Sequence, residues 1–350
     1  MVALAGATFA QDKVFSVTTS PAENTKRGMN ISWATDKAIT TATLEIARTN
    51  DANWKNSRKE VFNGEYCATF DNQYSKLPNG KNFYEDVKIN KYNASVGQLK
   101  RNASYKYRVI AGGDTSDVHY FKLSGRKNWE ACVISDFHAY APLYGRTKAA
   151  MEMISTVEKY DKPFDWVLHL GDITAWGGCY SFWQQLYEEE PFKKYMWAGV
   201  NGNHDNMTRT NKGNTNKFFR DVAAYPLNGY EGEMGVCYFF KYGDVLFIML
   251  NNENMRSEEG LQAAQNWVRE VVKNNPARYK VVCEHYQWFF GASGKDSQYP
   301  RWSKLFDELG ISLALAGNNH IYVSTHPLYN GEVVEPGQGT VYIQTTSSDN

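Results

Sequence analysis

Six short, almost continuous apolar runs recur after residue 130 and constrain the fold more than any other feature of the chain. They occupy residues 131–135, 166–170, 196–200, 245–250, 279–283 and 312–316. Two of the intervening stretches, 145–160 and 257–275, repeat apolar residues at the spacing of one helical face. Unbroken apolar strands that alternate with amphipathic helices are typical of an α/β domain, whose sheets are covered by helices.

Polar residues of a few metal-binding types appear immediately after five of the six runs. The clusters are Asp136-Phe-His138, Gly171-Asp172, Gly202-Asn-His-Asp205, Glu284-His285 and Gly317-Asn-Asn-His320. Each cluster alone is ordinary turn chemistry, but groups at the carboxyl ends of strands meet along one edge of a sheet. Carboxylate, imidazole and amide oxygen, with no thiolate, suit metals such as manganese, iron or zinc. The sequence therefore predicts a metal site at this edge.

Residues 13–126 show a different pattern, in which apolar and polar residues alternate within short runs. Examples are 29–33, 41–46, 104–110 and 118–123, which are separated by Gly, Asn, Asp and Pro. A period of two at such spacing predicts an antiparallel β-sandwich with one buried face per sheet. Because the pattern changes near 124–128, we predict an all-β sandwich over 13–126 and an α/β domain over 127–350.

The charge balance of the chain and its N-terminal residues indicate which partners it could bind and where it could be located. Lysine plus arginine equals aspartate plus glutamate at 38 each, so no global field would recruit nucleic acid or an anionic membrane. Residues 1–12 resemble the tail of a secretory signal peptide, which favours a secreted or periplasmic protein, and the alternative is a disordered terminus. No other stretch approaches the roughly 18 apolar residues that would span a bilayer. The oligomeric state stays open.

The order and spacing of the five clusters resemble those of the calcineurin-like metallophosphoesterases, whose motifs run DxH, GD, GNHD or GNHE, a separate His, and GHxH. This resemblance covers roughly residue 128 to the C-terminus. The N-terminal part is similar, through Ile31-Ser-Trp33 and Tyr105-Lys-Tyr-Arg108, to the fibronectin-III-like domain that precedes the catalytic domain in purple acid phosphatases. The resemblance implies a four-layer α/β (α+β) metallophosphoesterase domain with two central mixed β-sheets flanked by helices.

The resemblance also implies a role for each motif residue. The residues that would hold two divalent or trivalent ions of iron, manganese or zinc are Asp136, His138, Asp172, Asn203, His285, Asn318 and His320. Asp172 would bridge the ions. His204 would contact the phosphoryl oxygens or the leaving group, beside Asn203. Asp205 would orient the ring of His204, so these two form the implied catalytic pair.

Two positions depart from the family pattern. Asn318 stands where the GHxH motif has its first histidine, and a neutral amide binds a transition metal less well than imidazole does. The second ion would then be weaker, exchangeable or a harder metal such as manganese or magnesium, and loss of catalysis is the other outcome. Ala175 stands where purple acid phosphatases have a metal-binding tyrosine, so no purple colour is expected. The family also continues beyond Asn350, which leaves open a missing C-terminal segment that shapes the pocket.

The implied activity is hydrolysis of a small phosphomonoester by in-line attack of a metal-bound hydroxide. The alternatives are a phosphodiesterase with the same site and a catalytically impaired binding protein, caused by Asn318. An adhesion or carbohydrate-binding protein would explain none of the five clusters. Five aromatic residues near the last two clusters are Tyr286, Trp288, Phe289, Phe290 and Tyr322. They could line a pocket, but core packing is the more common role, so no substrate follows from them.

Overall fold

The computed structural model describes residues 13–67, 73–76, 82–85, 87–125, 128–141, 145–207, 217–290 and 297–345. The segment 1–12, on which the predicted signal-peptide remnant falls, lies outside these residues. So do 126–127, at the predicted domain boundary, and the last residues of the chain, 346–350.

The described residues up to 125 form strands and no helix. The strands are β1 (Val14–Pro21), β2 (Met29–Asp36), β3 (Thr41–Arg48), β4 (Arg58–Asn63), β5 (Glu65–Tyr66), β6 (Gln73–Lys76), β7 (Asn82–Glu85), β8 (Ile89–Val96), β9 (Ser104–Ala111), β10 (Asp114–Thr115) and β11 (His119–Lys122). One antiparallel group has the order β1-β2-β8-β5, and a second sheet has the order β10-β9-β3-β4, with β11 also beside β9. This confirms the predicted strand-rich N-terminal part.

Aromatic side chains join the two N-terminal sheets. Trp33 of β2 is fully buried, and its ring stacks on Tyr92 of β8 with centroids 5.2 Å apart. Phe62 of β4, in the facing sheet, meets the Trp33 ring edge-on at 5.6 Å. Because alternate residues of a strand point to opposite faces, the apolar members of each short run collect around this tryptophan.

After residue 128 the chain alternates strands and helices. The strands are β12 (Ala131–Ile134), β13 (Trp166–His169), β14 (Met196–Gly199), β15 (Tyr238–Tyr242), β16 (Val245–Met249), β17 (Tyr279–Cys283), β18 (Leu313–Ala316), β19 (Val323–Ser324), β20 (Leu328–Tyr329), β21 (Glu332–Val333) and β22 (Val341–Gln344). The helices are α1 (Gly145–Thr156), α2 (Tyr180–Tyr187), α3 (Glu190–Lys194), α4 (Lys217–Val222), α5 (Glu258–Asn274) and α6 (Tyr299–Leu309). All six apolar runs form strands, and both predicted helical stretches form helices.

Helix α5 shows how the local sequence sets these elements. The side chain of Ser257 caps the helix by accepting a hydrogen bond from the backbone of Gly260 at 3.0 Å. The apolar face of α5 is buried in the core that also holds Trp302 and Phe306 of α6. Helix α6 ends at Gly310, whose φ of 60° permits the left-handed turn. Among the described helices, none is both long and apolar enough to cross a bilayer.

Two large mixed sheets organise the molecule. One has the order β15-β16-β17-β18-β22-β19. The other begins with the parallel strands β12-β13-β14 and continues directly into β1-β2-β8-β5. The junction is a parallel pairing of β1 with β14, in which Thr19 lies opposite Met196. The predicted α/β architecture with two central sheets is therefore confirmed, and one of these sheets extends into the sandwich.

Candidate metal centre

The polar clusters follow the carboxyl ends of five strands drawn from both mixed sheets. Strands β12, β13 and β14 come from one sheet, whereas β17 and β18 come from the other. Three overlapping groups of histidine and aspartate have their ligand atoms within 4.8 Å of one another. These groups are Asp136, His138 and His320; His138, Asp172 and His204; and Asp136, Asp172 and His285. The two sheet edges thus build one continuous cluster of donors.

Asp172 lies at the middle of this cluster. Its Oδ2 atom is 3.2 Å from Nε2 of His138 and 3.3 Å from Nε2 of His285. The Oδ1 atom of Asn203 is 3.2 Å from the same nitrogen of His285. One carboxylate oxygen is therefore approached by imidazoles from two strands, and the second imidazole also faces an amide oxygen.

Asp136 anchors the other end of the cluster and is fully buried. Its Oδ1 atom lies 3.4 Å from Nε2 of His320. Its Oδ2 atom accepts a hydrogen bond from the backbone of Asn318 at 3.0 Å and another from the Ser135 hydroxyl. The Gly317 to His320 turn is thus held against the end of β12.

These spacings fit bound metal ions. Two donor atoms that lie about 2.0–2.2 Å from one ion are about 3 Å from each other. The measured contacts between donor atoms are 3.2–3.4 Å. The donors are carboxylate, imidazole and amide oxygen, the set expected for manganese, iron or zinc. The residues present therefore fit the ions that the sequence predicts.

Backbone strain concentrates at the same place. Among the described residues, eleven other than glycine have positive φ, and five of them are predicted ligands. These five are Asp136, His138, Asp172, Asn318 and His320, with φ between 46° and 65°. Asp, Asn and His tolerate this conformation better than most residues, yet it is uncommon for them too. Positive φ is concentrated at these residues because the turns at the sheet edges direct their side chains toward a shared point.

Two motif glycines allow the close approach of these turns. A Cβ atom on Gly202 would lie 2.2 Å from both the backbone nitrogen and the Oδ1 atom of Asp172. A Cβ atom on Gly317 would lie 2.0 Å from the Ser135 hydroxyl and 2.9 Å from Oδ2 of Asp136. No side chain fits at either position, which explains why glycine precedes the polar residues there.

His204 is held by contacts that differ from those expected. Its backbone donates to Oδ1 of Asp172 at 2.8 Å, and its ring Nδ1 donates to the carbonyl oxygen of Ala175 at 2.9 Å. The Asp205 carboxylate instead accepts from the backbones of Thr174 at 3.0 Å and Gly202 at 2.9 Å. The expectation that Asp205 orients the His204 ring is therefore not met, because backbone groups already occupy this buried carboxylate.

Two further residues, outside the five clusters, support the site. The Nδ2 atom of Asn318 donates to Oε1 of buried Gln287 at 2.5 Å. The Oδ1 atom of Asn252 accepts from the backbones of His285 at 2.9 Å and Tyr286 at 2.8 Å. Gln287 thus fixes the amide that replaces the family histidine, and Asn252 fixes the turn that carries His285. Both act through contacts distant in sequence.

The electrostatics of the cluster favour cations. Burial opposes ionisation of Asp136 and Asp172, but hydrogen bonds and charges of the imidazoles outweigh it and hold the pKa of both carboxyls below the ordinary value. For His285 burial acts to lower the pKa, yet the neighbouring Asp172 carboxylate raises it to about 10. Burial, aided by the Asp172 charge, raises the pKa of Asp205 to about 7. The two central carboxylates therefore stay ionised and attract positive charge.

The aromatic residues near the last two clusters divide into two sets. Trp288 is buried in the core, and the Phe289 ring packs against Tyr299 with centroids 5.0 Å apart. Phe290 and Tyr322 are exposed. Trp288 and Phe289 thus take part in core packing, whereas Phe290 and Tyr322 lie at the surface, close in sequence to the predicted ligands.

Family models match both parts of the chain. Residues 131–322, more than half of the chain, match the calcineurin-like phosphoesterases, and residues 14–123 match the N-terminal domain of purple acid phosphatases. The chain therefore belongs to the calcineurin-like phosphoesterase family, as the order of its motifs predicts. It carries in front of that domain the N-terminal module found in purple acid phosphatases.

Two solved structures are similar to this chain. Purple acid phosphatase PPD1 from yellow lupin seeds shares 16% identity at a TM-score of 0.67, over 95% of this chain and 64% of that one. The structure of PhoD shares 14% identity at a TM-score of 0.59, over 98% of this chain and 79% of that one. This chain thus spans about 64% of the length of the lupin phosphatase, and at these identities the likeness shows the fold alone. No curated protein sequence matches the chain.

Proposed function

We propose that the protein is a metal-dependent phosphoesterase that hydrolyses small phosphomonoesters at a site for two metal ions. The observation that carries the proposal is the position of Asp172, whose Oδ2 atom is approached by His138 and His285 from different strands at 3.2 and 3.3 Å. A carboxylate placed between two sets of donors is suited to bridge two cations.

The geometry supports a division of the ligands into two sets. The first set would be Asp136, His138 and His320, the second would be Asn203, His285 and Asn318, and Asp172 would belong to both. The Nδ2 atom of Asn318 is bound by Gln287, which leaves the side-chain oxygen as the ligand atom. An oxygen ligand at this position favours a harder metal, such as manganese, in the second site.

Two cations at these positions would neutralise the phosphate ester and supply an activated water as nucleophile. His204 lies beside them, with its ring centroid 4.7 Å from that of His138. Because its Nδ1 proton is donated to Ala175, Nε2 is the ring atom available to a substrate. We therefore assign His204 to the phosphoryl oxygens or the leaving group. Asp205 supports it by holding the Gly202 turn.

The proposal also includes the bounds of the two domains and the location in which the substrate is met. Residues 13–126 would form the fibronectin-III-like sandwich, and 127–350 would form the catalytic domain. The substrate would be met outside the cytoplasm, on the strength of the signal-like residues 1–12. A phosphodiesterase with the same site is the alternative, because the ligand set is compatible with both ester types.

The test is hydrolysis of p-nitrophenyl phosphate and bis-p-nitrophenyl phosphate by metal-stripped protein reloaded with manganese, iron or zinc. We expect metal-dependent activity, with the monoester preferred. Asp172→Asn should lower kcat/KM by about 10²–10³-fold or more, since it removes a charge at the centre of the site. The matched control is Asp244→Asn, because Asp244 is exposed and pairs with Lys26 away from the cluster.

Equal activity of Asp172→Asn and the intact protein would refute the proposal. Preference for the diester would establish the alternative. If no metal gives activity while the protein binds one ion or fewer, the impaired binding protein becomes the better description, with Asn318 as its cause.

A further inference from the structure

Three large apolar side chains are exposed beside the predicted metal ligands. Ile321 and Tyr322 directly follow His320, and their exposed fractions are 51% and 64%. Phe290 is 67% exposed and belongs to the segment after His285. The two segments touch, because Nδ2 of Asn319 donates to the carbonyl oxygen of Phe290 at 3.1 Å. We call Phe290, Ile321 and Tyr322 the apolar rim.

Phe290 is held in a strained conformation. Its φ is 61°, and for a bulky side chain this is a genuine outlier. Hydrogen bonds hold the backbone on both sides: Phe289 donates to Oε1 of Gln344 at 2.8 Å, and Asn319 donates to the Phe290 carbonyl. The neighbouring Phe289 ring stacks on Tyr299 in the interior. The fold therefore keeps the Phe290 ring outside, against its backbone preference.

The packing of the protein does not explain this strain. Trp54, another aromatic residue with positive φ, has its ring covered by Lys106 at 4.3 Å and Arg108 at 4.4 Å. Phe290 has no comparable cover in the described structure, since most of its surface is exposed. Backbone strain that yields no internal packing is characteristic of residues that contact ligands.

Tyr286, the aromatic residue that directly follows His285, is already engaged in polar contacts. The Tyr286 hydroxyl donates to Oε1 of Glu253 at 2.5 Å and accepts a hydrogen bond from Arg256. Arg256 also bonds Glu253 at 2.8 Å. Tyr286, Glu253 and Arg256 thus already hydrogen-bond one another, so they would contribute little to the binding of an apolar group. Of the aromatic residues next to the predicted ligands in sequence, those of the apolar rim are therefore the ones suited to bind an apolar group.

We propose that the apolar rim binds the organic group of the substrate, and that the protein prefers phosphate esters of apolar alcohols over esters of polar ones. This inference rests on the proposed phosphoesterase function and specifies its substrate class. The phosphate would lie among the predicted ligands, and an alkyl or aryl group would cover Phe290 and Tyr322. Contact with such a group removes apolar surface from water on both sides.

The test compares two esters with alcohol leaving groups, hexyl phosphate and glycerol 1-phosphate, on the metal-loaded protein. We expect kcat/KM to be at least about tenfold higher for hexyl phosphate, the scale set by a few buried methylene groups. The double variant Phe290→Ser/Tyr322→Ser should lose this preference, because its kcat/KM should fall much more for hexyl phosphate than for glycerol 1-phosphate. The control Val61→Ser alters an equally exposed apolar residue on β4 and should change neither rate.

A binding measurement separates this inference from the proposed function. Calorimetry with hexylphosphonate and methylphosphonate needs no turnover, and the intact metal-loaded protein should bind hexylphosphonate about tenfold more tightly. If no ester is hydrolysed but this difference is present and vanishes in the double variant, the rim binds apolar groups although the activity proposal fails. Equal binding of the two phosphonates, or equal losses on both esters, would overturn the inference.

Discussion

The sandwich and the phosphoesterase part place their irregular backbone at different kinds of position. In the sandwich, the non-glycine residues with positive φ lie in turns, at a bend and at the irregularity of β1; they are Ser16, Trp54, Gln98 and Asn102. In the phosphoesterase part, five of seven such residues are predicted ligands. Positive φ thus accompanies turns, a bend and one strand irregularity in the sandwich, whereas in the phosphoesterase part it falls mainly on the predicted ligands.

Two buried charged sites, one in each region, differ in how their charge is compensated. Asp136 and Asp172 are surrounded by imidazoles that keep both carboxyls ionised. Lys91, on β8 of the sandwich, is also buried, but burial lowers its pKa to about 8 despite the nearby Cys67 and Asp221. A buried group surrounded by compensating partners, as at Asp136 and Asp172, keeps its charge, whereas Lys91 pays for its burial with a lowered pKa. Four substitutions test this contrast.

The largest effect on stability is expected in the sandwich core. Trp33→Ala should lower the free energy of unfolding by about 3–5 kcal/mol, because it leaves a cavity between Tyr92 and Phe62. Urea unfolding measures this loss. Below the unfolding temperature kcat should be unchanged, since Trp33 lies among sandwich residues. A selective loss of kcat in the folded variant would contradict the separation of roles.

Gly202→Ala should disturb the site and stability together. The added methyl group would lie 2.2 Å from Asp172, so either the turn or the carboxylate must move. We expect a loss of about 3 kcal/mol in the free energy of unfolding, together with weaker metal binding. Gly97→Ala in the sandwich is the matched control, because its Cβ would meet nothing within 4 Å. Similar behaviour of the two variants would show that the site tolerates rearrangement.

Lys91→Met should stabilise the protein in a pH-dependent way. Folding lowers the pKa of Lys91 from 10.5 to about 8, so below pH 8 the native state buries a charge. The shift corresponds to about 3 kcal/mol, and this cost declines as the pH rises from about 8 to 10.5. The gain from Lys91→Met should be greatest near pH 7 and vanish above pH 10.5. Exposed Lys122→Met is the control; a gain independent of pH would exclude the charge as the cause.

Asn318→His should have the smallest effect. It restores the imidazole of the family motif, and we expect about tenfold tighter binding of the second ion, as measured by metal titration. The loss of the hydrogen bond to Gln287 opposes this gain. Asn319→His, at the neighbouring position, is the control. An affinity for the second ion no higher in Asn318→His than in the Asn319→His control would contradict this prediction.

Much of the fold could be predicted from sequence because its signals are local. Apolar runs such as 279–283 form the strands expected of them, and 257–275 contains the helix that its spacing predicts. The convergence of the motifs within each sheet was also predictable, since parallel strands end at a common edge. That the edges of two sheets meet at the cluster was decided by the tertiary structure. The support of the site was harder to predict: Gln287 has no distinctive spacing, and Asn252, which follows the apolar run 245–250 at the same edge, belongs to none of the family motifs. The role of Ala175 was not predictable either, because its backbone carbonyl and not its side chain accepts the hydrogen bond from the His204 ring.

The sequence by itself determined the element types, the order of the motifs and the family, because periodicity and motif spacing are properties of neighbouring residues. Only the tertiary structure decided that β1 joins β14, so that one sheet runs from the phosphoesterase part into the sandwich. It also decided that Lys91 is buried and that Phe290 is strained and exposed. These features depend on contacts between distant segments, whose geometry is set by packing of the whole chain and leaves no local pattern.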